Sequence, residues 1–338
     1  MRAERRAAAP AASLAASDQA LVEGVVARDP RALARTITLI ESSRRDHQAR
    51  AQAALAALAP HTGKSFRIGI SGVPGVGKST FVEALGLHLT ARDHRVAVLA
   101  VDPSSVISGG SILGDKTRME RLARDPNAFI RPSPSGGILG GVAHKTREAM
   151  LVCEAAGYDV VLVETIGVGQ SEAAVAGMTD FFMLLVLPNA GDDLQAIKRG
   201  IVELVDLVAV NKADIDPKAA ELARTQIANA LALLRSSTAD WSPPVIALAA
   251  LKSEGLDAFW REAERYRALG TASGAFHAKR HRQALEWMTA LVEHELRAQF
   301  YHHRAVKAEL PALRKAVAEG TLTPAAAAAR LLALAARD

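Results

Sequence analysis

The sequence predicts an α/β fold in which a mostly parallel sheet is sandwiched by helices. Short, continuously apolar runs recur along the middle of the chain, as in parallel strands buried on both faces, and they alternate with segments of helical spacing. A glycine-rich turn joins another short run, in which apolar residues alternate with others, to its helix. With 338 residues, the chain can form one large core and carry additional helical segments.

Composition and charge narrow the class of protein. The net charge is +5, but lysine and arginine are spread along the chain and are not interleaved with aromatics, so we expect no nucleic-acid partner. No apolar run reaches the ~18 residues of a membrane span, so we expect no membrane association. The single cysteine, Cys153, excludes an intrachain disulfide and favours a reducing, cytoplasmic compartment.

The first 62 residues predict a tail and a helical segment. Residues 1–17 are rich in arginine and alanine, and we interpret them as a flexible tail, with an organellar transit peptide as the alternative. Residues 18–62 predict three helices with apolar stripes that must pack on other elements. Asp29 and Pro30 supply the cap and the first-turn proline of the second helix, and the third spans Arg45 to Leu58.

The first predicted strand, Phe66 to Ile70, leads into a phosphate-binding loop. The residues that follow read G-V-P-G-V-G-K-S and fit G-x-x-x-x-G-K-[ST] at every fixed position. The glycines let backbone N–H groups surround a phosphate, Lys78 adds a positive charge, and the Ser79 hydroxyl can ligate Mg²⁺. The predicted nucleotide-binding residues are Gly72, Val73, Pro74, Gly75, Val76, Gly77, Lys78, Ser79 and Thr80.

Two further strands end in carboxylates. The run from Arg95 to Val101 is followed by Asp102, and the run that begins at Tyr158 ends at Glu164. The carboxyl ends of parallel strands share one edge of the sheet, where ligands bind. A carboxylate there holds Mg²⁺ directly or through water in nucleotide-hydrolysing folds, and an ordinary acid at a strand end is the alternative.

The rest of the predicted domain, residues 63–271, alternates strands with helices. Residues 108–119 have turn chemistry and lead into a predicted charged helix that ends near Asp125 and Pro126, and the glycine- and proline-rich segment 132–141 predicts a mobile loop near the ligand. The remaining strands are Ala128 to Arg131, Asp180 to Leu187, Asp206 to Val210 and Pro244 to Leu248, and the helices are Val142 to Ala156, Pro217 to Leu234 and Gly255 to Leu269.

A second motif, N-K-A-D at residues 211–214, follows a strand and predicts selectivity for guanine. The Asp214 carboxylate can accept from both N1–H and the exocyclic amine of guanine, which adenine cannot match. Asn211 can meet the side of the base that carries the six-position oxygen, and the stem of Lys212 can lie over the purine face. Ala249, Ala250 and Leu251, after the last strand, are the expected second base-contacting loop.

Residues 272–338 predict three helices that follow a Gly270 to Gly274 linker. They are too thin to form a core of their own, so we expect them to pack on the domain or on a second subunit. We interpret His277, His281 and the pair at 302–303 as surface or packing residues because no carboxylate or cysteine cluster supports a metal site.

Taken together, these motifs resemble the methylmalonyl-CoA mutase-associated GTPases of the MeaB/ArgK type, in matching order over about residues 18–305. The segment E-T-I-G-V-G-Q-S-E at 164–172 is more specific to that family than the phosphate loop. The resemblance implies a SIMIBI-class P-loop GTPase domain flanked by helices, with a C-terminal dimerisation arm. It also implies a GTP-dependent metallochaperone that gates adenosylcobalamin loading and protects or reactivates an acyl-CoA mutase.

The resemblance also assigns roles by position. Ser79, Asp102, Asp115 and Glu164 would form the Mg²⁺ shell, and Lys78 with Gly167 would hold the γ-phosphate. The catalytic set would be Lys78, Asp102, Glu164, Gly167 and Gln170, and the partner-contacting switch would include Asp192, Asp193, Gln195 and Lys198.

Two departures from related patterns affect these expectations. The family has a serine where Ala249 stands, although a backbone N–H can still serve the base there. In related GTPases a glutamine directly follows the glycine that corresponds to Gly167, whereas here Gln170 stands two residues beyond that position. We therefore expect slow GTP hydrolysis that a partner completes.

Two other functions remain open. A kinase of a periplasmic amino-acid transport protein would need an acceptor pocket, which the sequence does not reveal. A nickel- or cobalt-insertion GTPase usually carries histidine- or cysteine-rich tracts, and this sequence has none.

Overall fold

The protein folds around one sheet of seven parallel strands in the order β3-β2-β4-β1-β5-β6-β7. The structure is a computed structural model that describes residues 14–42, 44–102, 119–134, 139–165, 171–188, 203–234 and 241–336. The strands are β1 (Phe66–Gly72), β2 (Val96–Asp102), β3 (Ala128–Pro134), β4 (Val160–Glu164), β5 (Phe181–Val186), β6 (Leu207–Val210) and β7 (Val245–Ala247). This confirms the predicted α/β class and all seven strands.

Eleven helices are described. They are α1 (Ala16–Val26), α2 (Pro30–Glu41), α3 (Arg45–Leu58), α4 (Lys78–Thr90), α5 (Leu139–Ala155), α6 (Ser171–Ala176), α7 (Pro217–Leu234), α8 (Leu256–Ala272), α9 (Ala275–His302), α10 (Arg304–Ala318) and α11 (Pro324–Ala335). None of the described helices is long and apolar enough to cross a bilayer.

Three boundaries differ from the sequence prediction for physical reasons. Helix α1 begins at Ala16, within the expected tail, because the Asp18 carboxylate is buried and paired with Arg50 of α3 at 2.7 Å. Strand β3 continues through Pro134 and α5 starts at Leu139, so the loop predicted over 132–141 is shorter at both ends. An edge strand such as β3 tolerates proline because only one of its sides must be paired.

The third difference is the linker predicted at Gly270 to Gly274. Helix α8 runs through Gly270 to Ala272, and the chain turns only at Ser273 and Gly274. Gly274 has a φ of +75°, the left-handed conformation that glycine adopts without a Cβ penalty. The predicted helix end before Gly270 is therefore wrong, because Gly270 lies inside α8.

Helices cover both faces of the sheet. On one face, Phe81 of α4 and Phe259 of α8 pack edge to face at 5.2 Å, and the β1 residues Phe66 and Ile68 belong to the same buried cluster. On the other face, α2 and α3 pack against α5, which carries the fully buried Cys153. The side chain of Gln52 on α3 donates to Glu148 on α5 at 2.7 Å, fastening the N-terminal helices to the domain.

Buried charged side chains form hydrogen bonds and an ion pair at the amino-terminal end of β1. Glu154 on α5 accepts hydrogen bonds from Gly63 N at 2.7 Å, from the Ser65 hydroxyl, and from Arg67 Nε at 2.6 Å. Burial would raise the pKa of Glu154, but the bonds and charge of Arg67, with the Ser65 and Gly63 bonds, hold that pKa below its usual range. The carboxylate is therefore stable as an ion in a buried position.

A second buried carboxylate, Asp180, lies beside the first. It accepts from Arg67 N at 2.9 Å and from Arg280 Nε and Nη2 at 2.8 and 2.7 Å. Arg280 also donates to the carbonyl oxygens of Gly63 and Ser65 at 2.5 and 2.6 Å. The start of α9 is thereby fixed to the end of the sheet opposite the phosphate loop.

The chain divides into two compact units between Arg280 and His281. Within the second unit, α10 packs on α11, and Val306, Leu313 and Ala327 are buried. Arg330 of α11 donates to Glu309 of α10 at 3.0 Å.

We predict that Glu154→Gln destabilises the protein in a pH-dependent way. At pH 7 the loss should reach about 3 kcal/mol because Arg67 is left buried without its ion-pair partner. The wild-type contribution is full above the unfolded pKa of about 4.3 and is lost as pH falls through the lower folded pKa. Urea unfolding at pH 7, 5 and 3.5 should show the two proteins converging in acid.

The control is Glu221→Gln, which breaks an exposed pair with Arg224 and should leave the unfolding midpoint nearly unchanged. A constant difference between Glu154→Gln and wild type at all three pH values would contradict the prediction.

Candidate nucleotide-binding site

The candidate site lies at the carboxyl ends of the central strands. Strand β1 lies between β4 and β5, so the loop after Gly72 emerges beside Glu164 at the end of β4. Strand β6 is two positions from β1 and ends just before Asn211, and β7 next to it leads to Ala249. The fold therefore brings segments from distant parts of the sequence to one edge.

The phosphate loop has the backbone conformation that its glycines permit. Gly75 and Gly77 have φ values of +81° and +97°. A Cβ on Gly77 would lie 2.7 Å from Asn211 Nδ2, so only glycine fits against that amide. Val76 is fully buried and anchors the loop, while Lys78 starts helix α4, whose N-terminal end faces the loop.

The ammonium of Lys78 folds back over the loop. Its Nζ donates to the carbonyl oxygens of Gly72 at 2.7 Å and Val73 at 3.2 Å. Burial lowers the pKa of Lys78, and the charges of Glu164 and Glu172 oppose that shift. An anionic phosphate beside Nζ would therefore add a favourable charge to a cation that is partly removed from water.

Ser79 and Glu164 form the part of the site that suits a magnesium ion. The Ser79 hydroxyl donates to Glu164 Oε1 at 2.9 Å. Adjacent oxygen ligands of octahedral Mg²⁺, each about 2.1 Å from the ion, lie about 3 Å apart, so the pair fits that ion. The Thr165 hydroxyl donates to Ser71 Oγ at 3.1 Å, which ties the end of β4 to β1.

Asn211 connects the two ends of the site. Its Nδ2 donates to Val76 O at 2.8 Å, and its Oδ1 accepts from Ala250 N at 3.1 Å. The side chain is buried, so its amide holds the phosphate loop against the loop after β7. The predicted contact of Asn211 with the side of the base that carries the six-position oxygen stays a prediction.

The other residues of the second motif also have protein partners. Lys212 has a φ of +61° and its Nζ donates to Gly75 O at 2.9 Å, so its stem spans from β6 to the phosphate loop. Asp214 Oδ2 lies 3.4 Å from Lys252 Nζ. The predicted contacts of the Lys212 stem with the purine face and of the Asp214 carboxylate with the purine edge stay predictions.

The backbone of Ala249 is already hydrogen-bonded. Its N–H donates to Glu254 O at 3.1 Å and its carbonyl accepts from Glu254 N at 3.2 Å. The Ala250 N–H is bonded to Asn211, and the Leu251 side chain is exposed. The expectation that a backbone N–H of this loop serves the base stays a prediction.

Several predicted residues fall outside the described part of the chain. Asp102 ends β2, and β2 pairs with β4 in the register Ala100 to Glu164, which places Asp102 at the same edge of the sheet. The positions outside the described residues are Asp115, Gly167, Gln170, Asp192, Asp193, Gln195 and Lys198.

Two charged residues near the site lie in segments that the sequence singled out but received no individual role from it. Glu172, in the first turn of α6, is buried and acts electrostatically on Lys78. Lys252 pairs with Asp214. Membership of those segments was the available signal, but the partners of these two side chains depend on the fold.

The geometry defines the class of protein. A glycine loop after a central parallel strand, facing an N-K-A-D loop two strands away, is the arrangement of P-loop GTPases. Residues 33–305 match the family described as methylmalonyl-CoA mutase-associated GTPase MeaB, and the chain belongs to this family. It is a GTPase and binds guanine nucleotides, which confirms the family that the sequence motifs indicate.

Known proteins resemble the chain over nearly its whole length. A Caulobacter vibrioides GTPase is 56% identical over 309 residues, covering 91% of this chain and 95% of the relative. The mitochondrial methylmalonic aciduria type A homolog of Mus musculus is 45% identical over 323 residues, covering 92% of this chain and 78% of the mouse protein. A crystal structure described as LAO/AO transport system kinase has a TM-score of 0.74 and 36% identity, covering 94% of this chain and 96% of the other.

We predict that Asn211→Ala weakens both the fold and nucleotide binding. Val76 O and Ala250 N would lose a buried partner, which should lower the free energy of unfolding by about 1–3 kcal/mol. GDP affinity should fall roughly tenfold because the two loops would have to be ordered on binding. Asn229→Ala, on the exposed face of α7, is the matched control, and equal GDP affinity in both variants would exclude the bridging role.

Proposed function

We propose that this GTPase serves an adenosylcobalamin-dependent acyl-CoA mutase, gating cofactor loading and protecting or reactivating the enzyme. The observation that carries the proposal is the family match over residues 33–305, because the family is described by its association with methylmalonyl-CoA mutase. The mouse relative, named for methylmalonic aciduria type A, supports the same assignment. The partner would respond to the nucleotide state through segment 192–199.

The proposed chemistry is attack of water on the γ-phosphorus of GTP. Lys78 would leave the carbonyls of Gly72 and Val73 and balance the charge that develops on the γ-phosphate. Ser79 and Glu164, with Asp102 and Asp115, would hold Mg²⁺, which supplies charge neutralisation when bound. Asp214 would accept from the guanine edge while the stem of Lys212 covers its face.

We further propose that hydrolysis is slow until the partner binds. In D-x-x-G-Q GTPases a glutamine directly follows the glycine that corresponds to Gly167, and here Gln170 stands two residues beyond that position. The free protein would therefore lack a side chain in place to orient the attacking water. Gly167 N–H would face the γ-phosphate, and residues 166–172 would act as a switch.

The C-terminal helices are proposed to form a homodimerisation arm over residues 272–338. Helix α9 exposes Leu285, Met288, Val292 and Leu296, which recur at helical spacing and form an apolar stripe. A second subunit would cover that stripe.

The single buried thiol supports a reducing compartment, and we propose the cytoplasm.

A kinase is the second candidate, because the solved structure at 36% identity is described as an LAO/AO transport system kinase. The two functions differ in the fate of the γ-phosphate. A kinase transfers it to a protein, whereas a GTPase releases it as inorganic phosphate.

We predict that turnover of γ-labelled GTP exceeds that of ATP and rises about tenfold or more when a purified cobalamin-dependent acyl-CoA mutase is added. The label should appear as inorganic phosphate. Lys78→Met should abolish the response, which controls for contaminating phosphatases. Label retained on protein would favour the kinase, and guanine-selective turnover that no mutase changes would refute the proposed partner while leaving the GTPase intact.

We also predict that Ser79→Ala and Glu164→Gln raise the Mg²⁺ concentration required for half-maximal turnover by about 10–100-fold. Each removes one of the two adjacent oxygens that fit the ion. Ser242→Ala, on an exposed segment, is the control. An unchanged Mg²⁺ requirement in both variants would remove this pair from the proposed shell.

A further inference from the structure

The carboxylate that would recognise guanine already has a cationic partner. Asp214 Oδ2 lies 3.4 Å from Lys252 Nζ, and the Asp214 side chain is only 16% exposed. The other lysine of the same loop, Lys212, is directed away, with its Nζ on Gly75 O at 2.9 Å. In the described residues, Lys252 is therefore the cation that holds the Asp214 carboxylate.

Lys252 is presented by a rigid turn. Ala250 to Lys252 form one turn of 3₁₀ helix, and Ser253 after it has a φ of +59°. Two hydrogen bonds between Ala249 and Glu254 close the turn at its base. The backbone of Lys252 is consequently fixed near Asp214, and only the flexible stem of the side chain separates the ammonium from the carboxylate.

The ammonium and a guanine edge compete for the same oxygens. Guanine reaches an aspartate through two donors, N1–H and the exocyclic amine, and each takes acceptor capacity and neutralises charge on the carboxylate. The Lys252 ammonium, 3.4 Å from Oδ2, already neutralises part of that charge. A carboxylate can accept more than two hydrogen bonds, so the ammonium competes with guanine through its charge and its position beside Oδ2 and does not block every acceptor site.

We propose that Lys252 occupies the Asp214 carboxylate in the nucleotide-free protein and that guanine displaces it, so that Lys252 limits the affinity for guanine nucleotides. The inference rests on the proposed role of Asp214 as the base-recognising carboxylate. Lys252 is half-exposed, with 56% of its side chain accessible, so the pair is of the weak, salt-sensitive kind. The ammonium is thus a competitor that guanine can displace without unfolding the loop.

The test measures equilibrium binding of GDP to the full chain at low ionic strength. Lys252→Met keeps the stem and removes the charge, and we expect it to bind GDP about two- to fivefold more tightly than wild type, with the gain shrinking at high salt. Lys218→Met removes the same charge from the exposed first turn of α7 and should leave GDP affinity unchanged. Weaker or unaltered GDP binding by Lys252→Met would overturn the proposal.

A double-mutant cycle locates the effect on Asp214. Asp214→Asn offers a side-chain N–H that suits the C2 carbonyl of xanthine, so this variant is measured with XDP. Adding Lys252→Met to the Asp214→Asn variant should leave XDP affinity unchanged, because the variant has no carboxylate at position 214 for the ammonium to bind. The same gain in both backgrounds would overturn the proposal by showing that Lys252 acts through general charge.

Binding of ADP to the wild type separates this inference from the function on which it rests. Equal affinity for GDP and ADP would overturn the guanine site and this inference together. A clear preference for GDP, with no gain from Lys252→Met, would overturn the inference alone.

Discussion

The site depends on the position of β1 between β4 and β5. All strands of the sheet are parallel, so their carboxyl ends share one edge, and a central strand has an end of another strand on each side. On one side Glu164 comes within 2.9 Å of Ser79, and on the other, two strands away, Asn211 reaches Val76 O at 2.8 Å. An edge position for β1 would supply only one of these neighbours.

The same placement brings the polar groups of the site within reach of protein partners. Lys78 bonds to loop carbonyls, Ser79 to Glu164 and Asp214 to Lys252. Groups removed from water cost free energy unless they are paired, so each finds a protein partner. A ligand that binds to such a site replaces contacts within the protein by contacts with itself. The binding free energy is therefore smaller than the sum of the new contact energies.

The sequence predicted the secondary-structure elements, but it did not predict which side chains and backbone groups would contact one another. Apolar runs, one of them alternating, located all seven strands, and the two motifs indicated a guanine-nucleotide site, because strand burial and loop chemistry are local properties. The role of Asn211 was not predictable, since its amide could serve a base or a backbone and only the fold brings Val76 O and Ala250 N within reach. The early start of α1 likewise depends on Arg50, which is remote in sequence.

The burial of Cys153 gives the chain an internal reporter. Its thiol lies in the buried cluster shared by α5, the N-terminal helices and the sheet, fully inaccessible, and burial raises its pKa, so the reactive thiolate is suppressed in the folded state. With one cysteine in the whole sequence, any labelled molecule is labelled there. The rate at which a thiol reagent modifies the native protein therefore measures how often the buried cluster around Cys153 opens, without any engineered probe.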